Sequence, residues 1–372
     1  MNILYTNFHP RNGGGHVTYI ISLLKGLAGH HGLTVATPAS SRLYRYASAM
    51  EGVTVVDMSF STRASSWFAP RRKLHALLKA RHFDVVHVNG SADHKLVMLA
   101  LPGVRPRPRV VMTKHNEHPL SSLGHWLRAR LATDCVIAVS EHVARQVKRS
   151  TYLSAGVVTI RHGIDTDYFS PVDHEEKMRL RSRLIGAGLE NKILLGSAGG
   201  TDRSKGWLDL VAGIALLPDA QRTQFHVVVA GDQPDETKKQ DVARLGMSAQ
   251  VSFPGLLDDV RPALAACDIG FVLSYQEALS FACRELMSLG LPVLVSNAGG
   301  LPENLVDRQE GWIVPVRDPH AIAKVLEDIL SEPGRIQSMG NRARQKALEE
   351  FGLKRFVDAT LSVYGDVNTD DC

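Results

Sequence analysis

The chain has 372 residues, 44% hydrophobic and 22% charged, with a formal net charge of +5. That is soluble globular composition, too long for one comfortable core, so two domains are the expectation. No apolar run reaches the roughly 18 residues needed to span a bilayer, and the start MNILYTNFHP has no charged segment leading into an apolar one, which argues against a cleavable leader. The cysteines Cys135, Cys267, Cys283 and Cys372 make no CxxC and no metal-type spacing, and suit a reducing cytoplasm.

Along the chain, short β-branched runs alternate with amphipathic stretches. NILYTN, LTVAT, VTVVDM, DVVHVN, RVVMTKH, CVIAVS and VVTIRHG read as strands, with helical segments such as HVTYIISLLKGLAG and RRKLHALLKARH between them. A second series follows: ILLGSAG, FHVVVAGD, VSFPG, DIGFVLS, LPVLVSN and GWIVPV. Nearly continuous apolar strands separated by helices imply parallel sheets covered on both faces, so the fold class is α/β with two doubly wound, Rossmann-like domains. The join falls at RHGIDTDYFSP, 161–171, giving domains at 1–165 and 171–349. A last helix around 341–364 ends the pattern, and the segment 350–372 is expected to pack back on the first domain. In such sheets ligands bind beyond the carboxyl ends of the strands, so two domains facing across a cleft would place the chemistry there.

Charge is uneven. Residues 1–165 hold 21 Lys+Arg against 8 Asp+Glu, a net +13, which leaves −8 for the rest. The first half is therefore expected to face something anionic, and without a nucleic-acid signature nucleic acid is the weakest candidate. WFAPRRKLHALLKARH, 67–82, sets Arg71, Arg72, Lys73, Lys79 and Arg81 beside Leu74, Leu77 and Leu78 at helical spacing. Its leucines fit an ordinary helix packed on a sheet; its cations suggest a peripheral contact with anionic membrane.

Three loops carry candidate chemistry. The first strand runs into NFHPRNGGGHVTYI, where Gly14 and Gly15 would let a ligand approach the start of a helix. This is neither GxGxxG nor a Walker loop, and a plain tight turn explains it about as well. In GSAGGTDRSKGWLDL, Arg203 and Lys205 sit in a glycine-rich loop after a strand, which suits a diphosphate, though most isolated RxK pairs are solvated turns. In SYQEALSFACRELMS a helix should begin near 278–280. The amides of Leu279, Ser280 and Phe281 would then meet a phosphate, Glu285 could accept two ribose hydroxyls, and Glu277 would stand beside a sugar. The duller possibility makes Glu277 a helix-dipole partner and Glu285 a surface charge. His115 ends a strand, where a base or donor could face the cleft. Thirteen of the sixteen histidines lie in 1–165, so most must be structural; His87, within a strand, reads as a satisfied core residue.

Together these segments resemble glycosyltransferase family 4, retaining enzymes of the GT-B fold. Glu277–Glu285 matches the E-x7-E pattern, Gly299, Gly300, Pro302 and Glu303 match GG-x-PE, and HGIDTDYFSP is similar to the hinge segment. The resemblance covers nearly the whole chain and is densest over 193–330. It departs where EALS replaces EGFG, so that Ala278 and Ser280 stand in place of glycines. Ser197 replaces the usual arginine after the strand glycine, RHG replaces PNG, and Asn89 holds a place often taken by a second histidine.

The resemblance implies sugar transfer with retention from a nucleotide diphosphate sugar, a UDP-sugar first and a GDP-sugar second, to a glycan or lipid-linked acceptor. His115 and Glu277 would serve as catalytic residues. Gly14, Gly15, Arg203, Lys205, Leu279, Ser280, Phe281 and Glu285 would bind the nucleotide sugar. No cofactor and no essential metal are expected, since no DxD stands in place. A cytoplasmic location, peripheral on the inner face of a membrane, fits these expectations. A GT-B-fold epimerase or phosphorylase, or a catalytically silent binding homologue, is the alternative.

Overall fold

The structure, a computed structural model, describes residues 1–11, 13–60, 67–185 and 190–365. The chain forms two compact units: Met1–Gly163 together with the helix Leu353–Gly365, and Ile164–Gly352.

The first unit carries β1 (Asn2–Thr6), β2 (Gly32–Thr37), β3 (Val53–Asp57), β4 (Val85–Val88), β5 (Arg109–Lys114), β6 (Cys135–Ala138) and β7 (Val157–Thr159). The second carries β8 (Ile193–Ser197), β9 (Phe225–Ala230), β10 (Val251–Gly255), β11 (Ile269–Val272), β12 (Val293–Ser296) and β13 (Gly311–Val314). Every pairing is parallel, in the orders β3-β2-β1-β4-β5-β6-β7 and β10-β9-β8-β11-β12-β13. Both are doubly wound, and each reverses direction once, between β1 and β4 and between β8 and β11. Those switch points are where such sheets hold ligands.

The apolar runs behave as strands because both faces are buried. In the second unit Leu195, Val227, Val229, Phe271 and Leu294 point into one apolar cluster with Trp207 and Trp312. Their neighbours Leu194, Val228, Val272, Val293 and Val295 point into another with Cys283, Leu286 and Phe351. Alternation therefore separates two cores rather than core from water, and the strands read as unbroken hydrophobic runs.

The helix Leu353–Gly365 belongs to the first unit. It lies against the helix Gly14–Leu27 at Gly26, where any Cβ would come within 2.5 Å of Val357. It also completes a buried polar network: the Tyr364 hydroxyl meets Tyr5 Oη at 3.0 Å and His87 Nδ1 at 2.5 Å. His87 Nε2 meets Thr113 Oγ1 at 2.6 Å, and Tyr19 Oη meets the same oxygen at 3.1 Å. His87 is thus a core residue bonded at both nitrogens.

The single helix read at 341–364 is instead two, Gly334–Glu350 and Leu353–Gly365. The break is made by tertiary structure: Ile164 N donates to Phe351 O at 2.8 Å, and Ile164 bridges Gly352. The expected extension over 366–372 lies outside the described residues. No helix among the described residues is long and apolar enough to cross a membrane.

Candidate functional site

In the second unit the loops after β8 and β11 flank the switch point, and the backbone laces them together. After β8, Gly200 takes φ +75° and its N–H donates to Ala230 O at 3.0 Å. Asp202 Oδ1 accepts from Ser204 N at 2.8 Å, capping the short turn Arg203–Lys205. Gly206 then takes φ +69° with its α-carbon so close to β11 that a Cβ would meet Leu273 O at 2.0 Å. Only glycine fits there. Ser204 O accepts from Tyr275 N at 2.8 Å, so the turn bearing the two cations is tied to the loop bearing Glu277.

The pairing follows from that lacing. Lys205 Nζ lies 3.6 Å from Glu277 Oε2. Arg203 is half exposed and turns away to an ion pair with Asp241. The GG-x-PE segment braces the same loop from the other side: Gly300 N donates to Glu277 O at 2.9 Å and Asn304 Nδ2 to Leu279 O at 2.6 Å. Asn304 Oδ1 in turn accepts from the buried Arg284 Nε at 2.9 Å, and that guanidinium stacks 4.1 Å over Phe351.

The helix Phe281–Ser288 begins where the spacing predicts, with Ser280 as its cap. Ser280 Oγ accepts from Cys283 N at 3.2 Å. The residue sits at φ +87°, a conformation that strains any L side chain by about 1–3 kcal/mol. The backbone is therefore shaped for the glycine that EALS lacks, and the serine cap offsets part of the cost. The first turn of a helix presents N–H groups and the positive end of the helix dipole, which suit an anion. Glu285 lies in the second turn, partly exposed.

A neighbouring cluster was not legible in the sequence. Tyr275, beside the Asp209 carboxylate, lies 4.2 Å under the Arg317 guanidinium, and Arg317 itself takes φ +58°. Burial and the adjoining Asp209 carboxylate push the Tyr275 hydroxyl up, so it stays a donor.

In the first unit, Gly13 and Gly14 take the left-handed conformation, and Gly15 lies in the first turn of the helix. Gly13 is the packed one, since a Cβ there would sit 2.5 Å from Val17 Cγ2 and 3.2 Å from His9 Cβ. Nothing lies within 4 Å of a Cβ at Gly14. Gly14 and Gly15 are exposed.

His115 follows β5 directly. Its Nε2 is 2.9 Å from Asn89 Oδ1; since that oxygen can only accept, the imidazole N–H is on Nε2 and Nδ1 keeps a lone pair. The His16 ring stacks at 4.2 Å and Tyr19 meets it edge-on at 4.7 Å. Burial, with His16, His87, His162 and His9 around it, holds His115 well below the usual histidine range. Neutral at pH 7, it suits hydrogen bonding to a hydroxyl better than charge transfer. It lines a pocket of about 180 Å³ with Asn89, Ser91, Lys114, His118 and others of this unit. Among the described residues no group of three His, Cys, Asp or Glu side chains could hold a metal ion.

Two family models match the chain. Glycosyltransferase Family 4 covers residues 13–168 and Glycosyl transferases group 1 covers 185–346, between them most of its length. The chain belongs to glycosyltransferase family 4. It is a transferase, and its two doubly wound units are those of the GT-B fold.

The family 4 chain is 26% identical over 312 residues to the lipopolysaccharide core biosynthesis mannosyltransferase LpcC of Rhizobium leguminosarum bv. viciae, covering 82% of each. It is 25% identical over 367 residues to a GDP-mannose-dependent α-(1-6)-phosphatidylinositol monomannoside mannosyltransferase of Mycolicibacterium smegmatis, covering 94% of each. Among solved structures, Anabaena Alr3699/HepE in complex with UDP superposes with a TM-score of 0.84 at 19% identity, over 99% of this chain and all of that one. At that identity the likeness speaks for the fold alone.

Proposed function

We propose that this family 4 enzyme transfers a sugar, with retention, from a nucleotide diphosphate sugar to a glycan or lipid-linked acceptor, in cell-surface polysaccharide or lipopolysaccharide assembly. The observation that carries the reading is the Lys205–Glu277 pair, 3.6 Å apart, beside the first turn of the helix Phe281–Ser288 at the switch point of the second unit. A cation and a helix N-terminus suit a diphosphate; a carboxylate next to them suits the sugar's hydroxyls.

In this reading the bond between the anomeric carbon and the diphosphate oxygen breaks as the acceptor oxygen bonds to the same face of that carbon. The acceptor's proton passes to the departing phosphate oxygen. Lys205, Arg203 and the 279–281 amides stabilise the charge growing on the diphosphate, Glu285 accepts from the ribose hydroxyls, and Glu277 steadies the oxocarbenium-like sugar. His115 in the first unit hydrogen-bonds sugar hydroxyls, and Gly14 and Gly15 give a ligand access to the backbone there. These parts use no metal. The LpcC relative acts in lipopolysaccharide core biosynthesis and the mycobacterial relative on GDP-mannose, in keeping with this class of reaction.

Thermal melting with a panel of UDP- and GDP-sugars tests the donor. A ligand bound only by the folded state at 100 times its Kd stabilises it by about 2.7 kcal/mol. At least one nucleotide sugar should raise Tm in the wild type and much less in Lys205→Ala. No shift with any of them would overturn the reading.

We also propose a peripheral contact with anionic membrane through the helix Phe68–Arg81. Leu74 and Leu78 are buried, Arg72 and Lys79 are exposed, and Phe68 is 73% exposed. Two other exposed cations of this helix are tied to backbone carbonyls, Arg71 Nε donating to Leu99 O at 2.8 Å and Lys73 Nζ to Asp57 O at 2.6 Å. Each free basic residue near such a surface contributes about 1 kcal/mol, so the contact should be weak and screened by salt. Flotation should recover the protein with anionic liposomes at low salt only. Equal recovery with neutral liposomes would remove the electrostatic contact.

A further inference from the structure

The pocket beside His115 holds a cation that the transfer chemistry does not use. Lys114, the last residue of β5, is 8% exposed. Its Nζ donates to Asn116 Oδ1 and to His118 O, each at 2.7 Å. An ammonium has three hydrogens, and both acceptors are neutral. Among the described residues no carboxylate forms an ion pair with it. A buried ammonium without a counter-charge is costly, and burial accordingly pulls Lys114 down to about 8.

The pocket lining matches that charge with nothing negative. The pocket lining contains Lys114, the imidazoles of His16, His94, His115, His118 and His125, and no Asp or Glu. Burial keeps His16 and His94 neutral, at about 4 and about 3. His16 Nδ1 is buried with no partner. The nearby carboxyl of Asp93 is not a lining group: its Oδ2 accepts from Thr6 Oγ1 at 2.7 Å, Asn89 N at 2.9 Å and Gly90 N at 3.2 Å, its Oδ1 is buried with no partner, and burial raises the group to about 7. Ser91, at the start of the helix Ser91–Ala100, adds a hydroxyl donor to the lining. A neutral polyol would leave the ammonium unpaired; an oxyanion would complete it with a charge-assisted bond.

We infer that this pocket is the acceptor subsite and that it takes a sugar-sized polyol carrying an oxyanion, phosphate or carboxylate, whose counter-charge is Lys114. The inference rests on the proposed transfer reaction for the word acceptor, but the binding itself does not. With the anion at Lys114, a hydroxyl of the same molecule falls within the pocket that His115 lines.

The test is thermal melting and calorimetric titration of the full chain with glucose 6-phosphate, glucuronate, inorganic phosphate and glucose, in the wild type, Lys114→Met and Lys114→Arg. Saturable protection by at least one of the two sugar anions, none by glucose, and a ten-fold or greater rise in Kd in Lys114→Met that Lys114→Arg largely restores is the expected pattern. Preference between the two sugar anions distinguishes phosphate from carboxylate. UDP titrated into each variant provides the control, because Lys114 is not among its proposed residues and the side chains proposed for it, Arg203, Lys205 and Glu285, lie in the second unit, so its Kd should not move. Equal protection by glucose, wild-type affinity in Lys114→Met, or no binding of any of the three anions would overturn the inference. Failure of UDP and of every nucleotide sugar to bind would instead count against the transferase reading and leave the anion titration readable.

Discussion

Lys205→Ala is expected to lower kcat/KM for the donor by about 10- to 150-fold, the equivalent of the 1.5–3 kcal/mol that a charge-assisted hydrogen bond contributes. The fold holds this lysine in place, since its turn is capped by Asp202, anchored by Gly206 against Leu273, and tied to the Glu277 loop through Ser204 O. Arg203→Ala should cost less, under about 10-fold. Arg203 is half exposed and paired with Asp241, and it must give up or share that partner to reach a phosphate, so part of its interaction energy is already committed. The glutamates should separate in another way. Glu277→Ala removes a group that meets the sugar as positive charge develops, and so lowers kcat with little change in KM. Glu285→Ala removes a ground-state contact to ribose and so raises KM for the donor. Steady-state kinetics on the four variants would decide. An Arg203 effect exceeding that of Lys205, or exchanged phenotypes for the glutamates, would mean that the roles are misassigned.

How much of this could be read from residues alone depended on the range of the interaction. The strands were legible because a doubly covered parallel strand needs a continuous apolar run, and NILYT, FHVVVA or VLVS have few other uses. The start of the helix at Phe281 was legible because a strand, a short loop and an apolar periodic segment follow one another locally. Interactions between distant segments were not. Asp241 takes Arg203 from 38 residues away, and Tyr364 closes the network around His87 from 277 residues away. The helix break at 351–352 has no proline to announce it and is made by Ile164. Ser280 is a different case: its left-handed backbone contradicts its residue type, and local rules would assign that conformation to glycine. Such conflict between levels is expected where a loop is shaped for a ligand. Lys114 gave no signal, because a lysine at a strand end is ordinarily solvated and only the tertiary structure buries it.

The first unit is expected to lose stability steeply in mild acid. Burial holds His16 at about 4, His87 and His94 at about 3, and His115 well below the usual value of 6.5. Below pH 6.5 the unfolded chain takes up a proton on each imidazole while the folded chain does not. The unfolded state is then the one that binds more protons, so stability falls as pH falls. Asp93 works the other way. Burial raises it to about 7, so between pH 3.8 and 7 the folded chain keeps a proton that the unfolded chain releases. Four imidazoles against one carboxyl leave a net difference of roughly three protons, or on the order of 4 kcal/mol per pH unit. Against a total of about 5–15 kcal/mol for a typical domain, a drop from about pH 6.5 to 5 should leave this unit near its unfolding midpoint. Urea titrations between about pH 7.5 and 5, followed by a probe in the first unit such as Trp126, should show midpoints falling throughout that range. His94→Gln should make the dependence shallower by about one proton, and Asp93→Asn should make it steeper by about one. A midpoint that stays level down to about pH 5 would show that these imidazoles take up protons in the folded state, and that the network around His87 and the His16–His115 stack tolerates charge.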